Sequence, residues 1–339
     1  MKILVVASTM VHIKNFHLPY INEFKKAGHD VYVMASGEGA DFDIPFKKNA
    51  FSLKNFRLSF KIRKILKKER FDAVYLHTTL AAFWTRFAMW GMKRPLVVNT
   101  VHGYLFSNDT SGIKSKLFVL AEKIMRKRTD YIFAMNKYDF YFAKAKKLCK
   151  KEVYLIDGMG VDFSRVSSFS KKQRDDNMLK LVFVGEISKR KNQMFLVKSL
   201  LKLENAHLTL VGDGDEREAI ESFARKHSIS DRMEITGFTK NVKQHLENAD
   251  IYVSAAVIEG LPFNIMEAMA AKMPIVASDI KGQRELLPSH SLYPLNDENK
   301  FVELVKLTDL EPKEYDIERY RLENVLGKNV NLYLSLDKC

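Results

Sequence analysis

Residues Asp250–Lys272 read D-I-Y-V-S-A-A-V-I-E-G-L-P-F-N-I-M-E-A-M-A-A-K. The opening run, Asp250–Ala255, is short, apolar and rich in β-branched residues, which predicts a buried strand. Gly-Leu-Pro follows as a turn, and good helix formers over Ile265–Lys272 predict a helix whose first turn includes Pro262. The stretch is therefore one strand–turn–helix unit, and the polar residues of its turn follow the carboxyl end of a strand.

The same alternation of short strands and amphipathic helices recurs along the whole chain. The predicted strands are Lys2–Ser8, Asp30–Ser36, Asp72–Thr78, Leu96–His102, Tyr131–Asn136, Glu152–Asp157, Lys180–Gly185, His207–Gly212, Met233–Gly237, Asp250–Ala255, Pro274–Ser278 and Ser291–Leu295. The clearest predicted helices are Asn15–Ala27, Gln193–Leu203, Glu216–His227 and Lys240–Asn248. This order predicts an α/β protein with parallel sheets covered by helices on both faces.

A polar stretch without periodicity, Ser164–Met178, divides the strands into two sets of six and predicts an interdomain linker. We expect two Rossmann-like domains, 1–165 and 178–316, followed by a helical tail over about 317–339. In such sheets ligands bind at the carboxyl ends of strands, so a site is expected where the two domains face each other across a cleft.

Composition is that of an ordinary folded protein, with 339 residues, 46% hydrophobic and 28% charged. The two cysteines, Cys149 and Cys339, are too few for a disulfide framework, which favours the reducing cytoplasm. The longest apolar run, Leu80–Met92, is interrupted by Arg86, so no membrane-spanning helix is expected.

The net charge of +14 is unevenly distributed. Residues 1–160 hold 29 Lys and Arg against 13 Asp and Glu, whereas the remainder holds 26 against 28. The surplus concentrates in Phe46–Arg70 and Lys114–Lys151. An anionic partner for the first half of the chain and a set of solvated helix faces are equally compatible with this pattern.

Three loops after predicted strands carry candidate chemistry besides the opening stretch. His102 ends a strand, where its imidazole could donate a hydrogen bond or move a proton, or could simply be satisfied within the loop. Gly185-Glu186 leads into Lys189-Arg190-Lys191, which is either a basic turn suited to phosphate or an ordinary basic turn exposed to solvent. Gly212-Asp213-Gly214-Asp215 could hold a divalent cation but is better explained as a tight turn. No G-x-G-x-x-G follows the first strand, which argues against an NAD-dependent oxidoreductase.

Glu259 and Glu267 differ from a chance pair by their context rather than their spacing, because Glu303 and Glu311 show the same interval. The free amides of Gly260–Asn264 lie at the positive end of a predicted helix, which suits an anion. The two carboxylates flank those amides and can accept hydrogen bonds from hydroxyl groups. One helix end would thus bind an anion while the two carboxylates bind polyols, and a phosphorylated sugar attached to a ribose has both features.

These residues resemble the E-x7-E signature of the family 4 retaining glycosyltransferases, enzymes of the GT-B fold. The resemblance extends over V-N-T-V-H-G-Y, A-E-K-I-M-R-K-R-T-D-Y-I-F-A-M-N, L-I-D-G-M-G-V-D, L-V-F-V-G-E-I-S-K-R-K-N, L-V-G-D-G and I-T-G-F. It is closest to the enzymes of bacterial capsular and exopolysaccharide assembly. It implies two Rossmann-like domains, with the carboxyl-terminal helix crossing back to the first.

The resemblance also implies residue roles. His102 and Glu259 are expected at the donor sugar and reaction centre, Glu267 at the ribose, Lys191 at the phosphates and Phe238-Thr239 beside the base. The remaining donor-binding residues implied are Gly185, Glu186, Gly260, Leu261, Pro262, Phe263 and Asn264. Glu186 stands where many members carry arginine, so Lys191 is expected to bind the diphosphate with Lys189 or Arg190.

The function implied is retaining transfer of a sugar from a nucleotide-diphosphate sugar, most simply a UDP-sugar, to a glycan on a lipid pyrophosphate carrier. No metal and no cofactor are expected, and no nucleic-acid partner. Apolar Phe51, Phe56, Leu58, Phe60, Ile62 and Ile65 interleave with Lys54, Arg57, Lys61, Arg63 and Lys64, which predicts peripheral attachment to the anionic inner face of the cell membrane. The alternatives are a UDP-sugar 2-epimerase of the same architecture, a basic nucleic-acid-binding protein and a non-catalytic sugar-nucleotide binder.

Overall fold

The computed structural model describes residues 1–47, 52–106, 112–166 and 177–336. They form two compact units. The first unit is Met1–Gly160 together with the chain from Leu322 onward, and the second unit is Val161–Arg321. The boundaries between the units follow residues 160 and 321, whereas the first domain was expected to end at 165 and the helical tail to begin at about 317. Most of the expected linker, Ser164–Met178, lies outside the described residues.

The first unit contains a seven-stranded parallel sheet in the order β3-β2-β1-β4-β5-β6-β7. Its strands are β1 Lys2–Thr9, β2 Asp30–Ser36, β3 Phe42–Asp43, β4 Ala73–His77, β5 Leu96–Val101, β6 Tyr131–Ala134 and β7 Val153–Leu155. The six predicted strands are confirmed to within about two residues at each end, and β3 was not predicted. Buried apolar side chains on β1, β4 and β5 occupy the centre of this unit, because these strands are covered on both faces.

The helices of the first unit are α1 Met10–Phe16, α2 Leu18–Lys26, α3 Leu53–Glu69, α4 Thr79–Ala88, α5 Ile113–Met125 and α6 Lys137–Ala145, joined by the last helix in the chain, α13 Leu322–Leu334. The prediction of one helix over Asn15–Ala27 was wrong. The helix breaks at His17, and Pro19 lies in the first turn of α2. Proline lacks the amide that would continue the α1 hydrogen-bond ladder.

The second unit contains a six-stranded parallel sheet in the order β10-β9-β8-β11-β12-β13. Its strands are β8 Leu179–Val184, β9 Ala206–Val211, β10 Met233–Gly237, β11 Ile251–Ser254, β12 Ile275–Ser278 and β13 Leu292–Tyr293. Its helices are α7 Gln193–Ser199, α8 Arg217–Lys226, α9 Val242–Glu247, α10 Phe263–Ala270, α11 Lys281–Arg284 and α12 Glu298–Leu307. Within the described ranges, no helix combines the length and apolar character needed to cross a bilayer.

Helix α13 belongs to the first unit, as the resemblance implied. Tyr333 is fully buried, with its ring centroid 4.5 Å from that of Tyr75 and its hydroxyl hydrogen-bonded to that of Thr100. Asn329 donates to the carbonyl of Gly158 at 2.9 Å. Aromatic packing and satisfied buried polar groups together hold the helix in place.

We predict that Tyr333→Ala lowers the free energy of unfolding of the first unit by about 3–5 kcal/mol, because it empties a buried aromatic site. Tyr333→Phe is the matched control, since it keeps the ring and loses one hydrogen bond worth about 1 kcal/mol. Both tryptophans, Trp84 and Trp90, lie in this unit, so urea unfolding followed by tryptophan fluorescence reports on it alone. Equal midpoints for the wild-type protein and Tyr333→Ala would show that α13 does not stabilise this unit.

Candidate active site

The β11–α10 loop of the second unit carries the two carboxylates of the opening stretch. Pro262 is the N-cap of α10 with extended backbone angles, φ −76° and ψ 113°, and the helix begins at Phe263. The observed helix therefore begins one residue after Pro262, which was expected in its first turn. It begins two residues before Ile265, where the run of good helix formers starts. Glu267 lies in the second turn of α10 and is half-buried, whereas Glu259 lies in the loop.

The β8–α7 loop approaches the β11–α10 loop through the main chain. The amides of Lys191 and Asn192 both donate to the Ser188 carbonyl, at 3.0 and 2.9 Å, which folds the basic sequence into a compact turn. The Val257 amide then donates to the Arg190 carbonyl at 2.9 Å. This hydrogen bond joins the two loops directly, because β8 and β11 are neighbours in the sheet.

One carboxylate oxygen of Glu259 binds two cations. Lys191 Nζ lies 2.5 Å from Glu259 Oε1, and Arg190 Nη1 lies 2.7 Å from the same oxygen. The Glu259 and Lys191 side chains are each only 11% exposed. Pairing compensates the cost of burying these charges, and one carboxylate is shared by two cationic side chains.

Asn264 ties the first turn of α10 to the end of β8. Its side-chain amide donates to the Val184 carbonyl at 2.7 Å, next to Gly185. The hydroxyl of buried Tyr252 donates to the same carbonyl at 3.3 Å. Burial raises the pKa of Tyr252, and the nearby Glu267 and Glu259 carboxylates raise it further. Gly185, Asn264 and Glu267, all predicted to bind the sugar donor, are therefore close to one another.

Two glycines let the β9–α8 loop lie against the β8–α7 loop. A Cβ on Gly212, where φ is +148°, would lie 2.0 Å from the Gly185 carbonyl oxygen. A Cβ on Gly214 would lie 2.1 Å from the Ile187 carbonyl oxygen. Asp213 pairs with Arg217 at 3.2 Å. Gly212–Asp215 is thus a packed turn, as favoured from the sequence.

The other residues predicted to bind the sugar donor are more dispersed. Glu186 is exposed, and its carbonyl accepts from Gln193 Nε2 at 2.7 Å, so its backbone has a structural role. Leu261 is buried. Phe238 is 85% exposed, and the Thr239 hydroxyl accepts from the Asn241 amide at 3.0 Å. These last two follow β10, the edge strand two places from β8.

A buried polar network beneath the β11–α10 loop was not predicted. Gln283 Nε2 donates to the Ser254 hydroxyl at 2.7 Å, and the Ser278 hydroxyl lies 2.6 Å from the Ala256 carbonyl and 3.0 Å from Gln283 Oε1. A Cβ on Gly282 would lie 2.7 Å from the Glu259 carbonyl oxygen. Helix α11 therefore supports the Glu259 loop from below, although K-G-Q-R carries no sequence signal for such a role.

In the first unit, His102 directly follows β5 and lies in a cluster of four histidines. We name His12, His17, His77 and His102 the histidine cluster. His77 Nδ1 lies 3.2 Å from His102 Nε2, and the His17 and His77 ring centroids are 3.8 Å apart. Only His102 was singled out from the sequence. The sequence did not indicate the other three. His12 and His17 follow β1 and His77 ends β4, and these strands lie beside β5 only in the folded sheet.

All four imidazoles of the histidine cluster are held neutral. Burial lowers the pKa of His12 to about 4. Burial, with repulsion from the neighbouring imidazoles, holds the pKa values of His17, His77 and His102 well below the ordinary value. Each ring therefore carries one N–H and one lone pair at neutral pH.

Two sequence models of known families match the chain. The family described as "Glycosyl transferases group 1" matches residues 165–316, and that described as "Glycosyltransferase Family 4" matches residues 20–140. Both models describe glycosyltransferases, and together they cover most of the chain, which is therefore a glycosyltransferase. This glycosyltransferase has the GT-B fold, with the two Rossmann-like units described above.

Individual proteins resemble the glycosyltransferase over most of its length. EpsD of Bacillus subtilis (strain 168), named as a glycosyltransferase, is 28% identical to this chain. The match covers 84% of this chain and 81% of EpsD. An Escherichia coli protein named UDP-Gal:alpha-D-GlcNAc-diphosphoundecaprenol alpha-1,3-galactosyltransferase is 24% identical, over 86% of this chain and 80% of its own. The crystal structure of Anabaena HepE with UDP and glucose superposes with a TM-score of 0.75 at 16% identity, covering 99% of this chain and all of HepE.

We predict that Gly212→Ala destabilises the second unit by about 3 kcal/mol or more, because the added Cβ overlaps a main-chain oxygen. Gly237→Ala is the control in the same sheet: its φ of +74° is also unfavourable for alanine, but the nearest atom is a flexible arginine nitrogen 3.9 Å away. The control should cost about 1–2 kcal/mol. Far-ultraviolet circular dichroism measures both losses, and the tryptophan transition of the first unit should stay unchanged. Equal effects of the two substitutions would contradict the close backbone contact.

Proposed function

We propose that this glycosyltransferase transfers a sugar, with retention of configuration, from a UDP-sugar to a glycan on a lipid pyrophosphate carrier in the assembly of a surface polysaccharide. The observation that carries the proposal is the placement of Lys191 and Arg190 on Glu259, beside the start of α10. The E. coli relative is named for a UDP-galactose donor and a diphosphoundecaprenol acceptor. Another relative, CapH of Staphylococcus aureus, is named for capsular polysaccharide biosynthesis.

The donor diphosphate would bind at the two cations and the first amides of α10. Phosphate oxygens compete with Glu259 for Lys191, since charge-assisted hydrogen bonds form with either anion. Once Lys191 is engaged by the diphosphate, Glu259 can accept hydrogen bonds from the hydroxyls of the donor sugar. Glu267, one turn along the helix from Phe263, would accept from the ribose hydroxyls, and Phe238-Thr239 would lie beside the base.

Departure of the diphosphate would need no metal ion in this proposal. Lys191, Arg190 and the helix terminus are preorganised charges that stabilise the negative charge developing on the leaving group. The acceptor hydroxyl would attack the sugar carbon from the face that the diphosphate leaves. The diphosphate oxygen would take the hydroxyl proton, so the sugar–oxygen bond to the donor breaks as the bond to the acceptor forms. His102 would contact the donor sugar during this step.

We predict that Lys191→Ala lowers kcat/KM for the UDP-sugar at least a hundredfold, because one preorganised charge on the leaving group is lost. Glu267→Gln should instead raise KM with less effect on kcat, since a ribose contact is made equally in the ground and transition states. Lys306→Ala removes an exposed lysine on α12 and is the matched control. Initial rates with each variant measure both effects, after a thermal-shift panel of UDP-, GDP- and ADP-sugars has identified the donor.

Several outcomes would contradict the proposal. Conversion of a UDP-sugar without any acceptor would indicate the 2-epimerase, and binding without turnover would indicate a non-catalytic sugar-nucleotide protein. Inversion at the transferred carbon, read by NMR of the product, would contradict retention. A requirement for Mg²⁺ or Mn²⁺ after chelation would contradict metal-independent departure.

We further propose that α3 and α5 attach the first unit to an anionic membrane. Leu53, Phe56 and Phe60 form one exposed stripe of α3, and Ile113, Leu117, Leu120 and Ile124 form one exposed stripe of α5. Between the stripes lies an apolar groove of about 620 Å³, floored by Phe83 and Phe87 of α4. An exposed apolar surface of this extent is typical of an interaction site.

The membrane-facing residues differ from those expected. Ile62 is buried, and Leu58 and Ile65 pack against the core, so these three face the protein interior. Phe51 lies outside the described residues. The interleaved pattern in the sequence mixed two faces of one helix, because residues three and four apart share a face whereas adjacent residues do not. Exposed cations remain on both helices, namely Lys54, Arg57, Lys61, Lys64, Lys67 and Lys68 on α3 and Lys116 and Lys123 on α5.

We predict that the protein sediments with anionic vesicles at low salt and stays in the supernatant at high salt, because salt screens the attraction between the charges. Arg57→Ala with Lys64→Ala should weaken binding about 30-fold, at about 1 kcal/mol per cation. Phe60→Ser with Leu117→Ser should weaken it more than tenfold, because apolar side chains no longer enter the bilayer. Leu18→Ser is the matched control, an exposed leucine on α2. Protein left in the supernatant at low salt, or equal binding to neutral vesicles, would contradict the proposal.

A further inference from the structure

The histidine cluster lies where three neighbouring strands of the first sheet end. His12 is in α1, directly after β1, and His17 caps that helix. His77 is the last residue of β4, and His102 follows the last residue of β5. The strand order β1-β4-β5 therefore brings together four imidazoles that come from separate parts of the chain.

Several ring nitrogens of the histidine cluster have no hydrogen-bond partner among the described residues. His17 is 1% exposed, yet neither of its ring nitrogens has a hydrogen-bond partner among the described residues. His12 Nε2 is likewise buried without one. Leaving a buried polar group unsatisfied costs about 1–3 kcal/mol, so such groups are rare in folded proteins. A ligand that used these nitrogens would remove the penalty.

The spacing of the unused nitrogens suits a single metal ion. One ring nitrogen from each of His12, His17 and His102 lies within 4.8 Å of the other two. Tetrahedral zinc with bonds of 2.0–2.1 Å holds its ligands about 3.4 Å apart. Small rotations of the imidazoles would close that difference.

We propose that His12, His17 and His102 bind one zinc-class transition-metal ion through their imidazole nitrogens. In this site His102 Nε2 donates to His77 Nδ1 and His102 Nδ1 binds the ion, so that His77 fixes the tautomer of a metal ligand. Three nitrogen ligands select zinc, copper or nickel over magnesium, which prefers oxygen. The ion is therefore distinct from any that would accompany a nucleotide diphosphate.

An occupied site would have two consequences for the first unit. The ion would join α1 to the end of β5, so binding should stabilise that unit against unfolding. It would also occupy a lone pair of His102, the residue proposed to contact the donor sugar. Zinc should therefore inhibit sugar transfer, but binding itself is measured without any transfer, so the two proposals fail independently.

The test uses the full chain without a histidine tag, stripped with a chelator and titrated with Zn²⁺ by calorimetry. We expect one tightly bound ion per chain, and visible absorption bands typical of a four-coordinate ion with three nitrogen ligands when Co²⁺ is bound instead. His12→Ala with His17→Ala should abolish stoichiometric binding. His77→Gln should weaken it about 10–100-fold, as expected for the loss of a group that orients a ligand.

Controls separate a true site from general affinity of imidazole for metals. His227→Ala with His290→Ala removes two exposed histidines and should leave binding unchanged. His12→Gln replaces a half-buried member and keeps the fold testable if the double variant does not fold, which circular dichroism reports. Absence of stoichiometric binding by the wild-type chain, or equal affinity of wild-type and His12→Gln protein, would overturn the proposal.

Discussion

Parallel pairing of the strands is the constraint on which both candidate sites depend. The registered strand pairs of both sheets are parallel, so each crossover returns the chain to the same edge before the next strand begins. The loops that follow the strands therefore gather at one edge of each sheet. Arg190 and Glu259, 69 residues apart in sequence, meet because β8 pairs with β11. The histidine cluster forms for the same reason, since β4 pairs with both β1 and β5.

The ion pairs at Glu259 have a second effect besides compensating buried charge. A long lysine side chain loses much rotational freedom when it is fixed, at a cost of up to about 2 kcal/mol. Lys191 is already held by Glu259, so under the proposed function an incoming phosphate would find the cation in place. The cost of ordering that side chain would then be included in folding rather than in substrate binding. Helix α11 and the network around Gln283 fix the Glu259 loop in turn, which extends the ordered region beyond the residues that would touch the donor.

The alternation of strands and helices was sufficient to predict the fold, because parallel α/β proteins repeat one local pattern. Asp30–Ser36 and Met233–Gly237 were predicted with the observed bounds. The two-residue strand β3 is too short to show any periodicity. The candidate site was predicted only in part, because sequence motifs identify residues but not their partners. The pairing of Lys191 and Arg190 with Glu259 depends on the main-chain bond from Val257, and the histidine cluster has no motif spacing at all.

The return of α13 to the first unit makes that unit discontinuous in sequence, whereas the second unit is one uninterrupted segment. A polypeptide that grows from its amino terminus can complete the second unit while the first still lacks the helix that covers Phe24, Tyr75 and Phe133. Those aromatic rings remain open to solvent or to other chains until about 160 further residues have been made, which is a long-range closure of the kind that slows folding. The second unit is consequently the natural choice for expression as an isolated fragment, and the first would need α13 joined to it through a new connection.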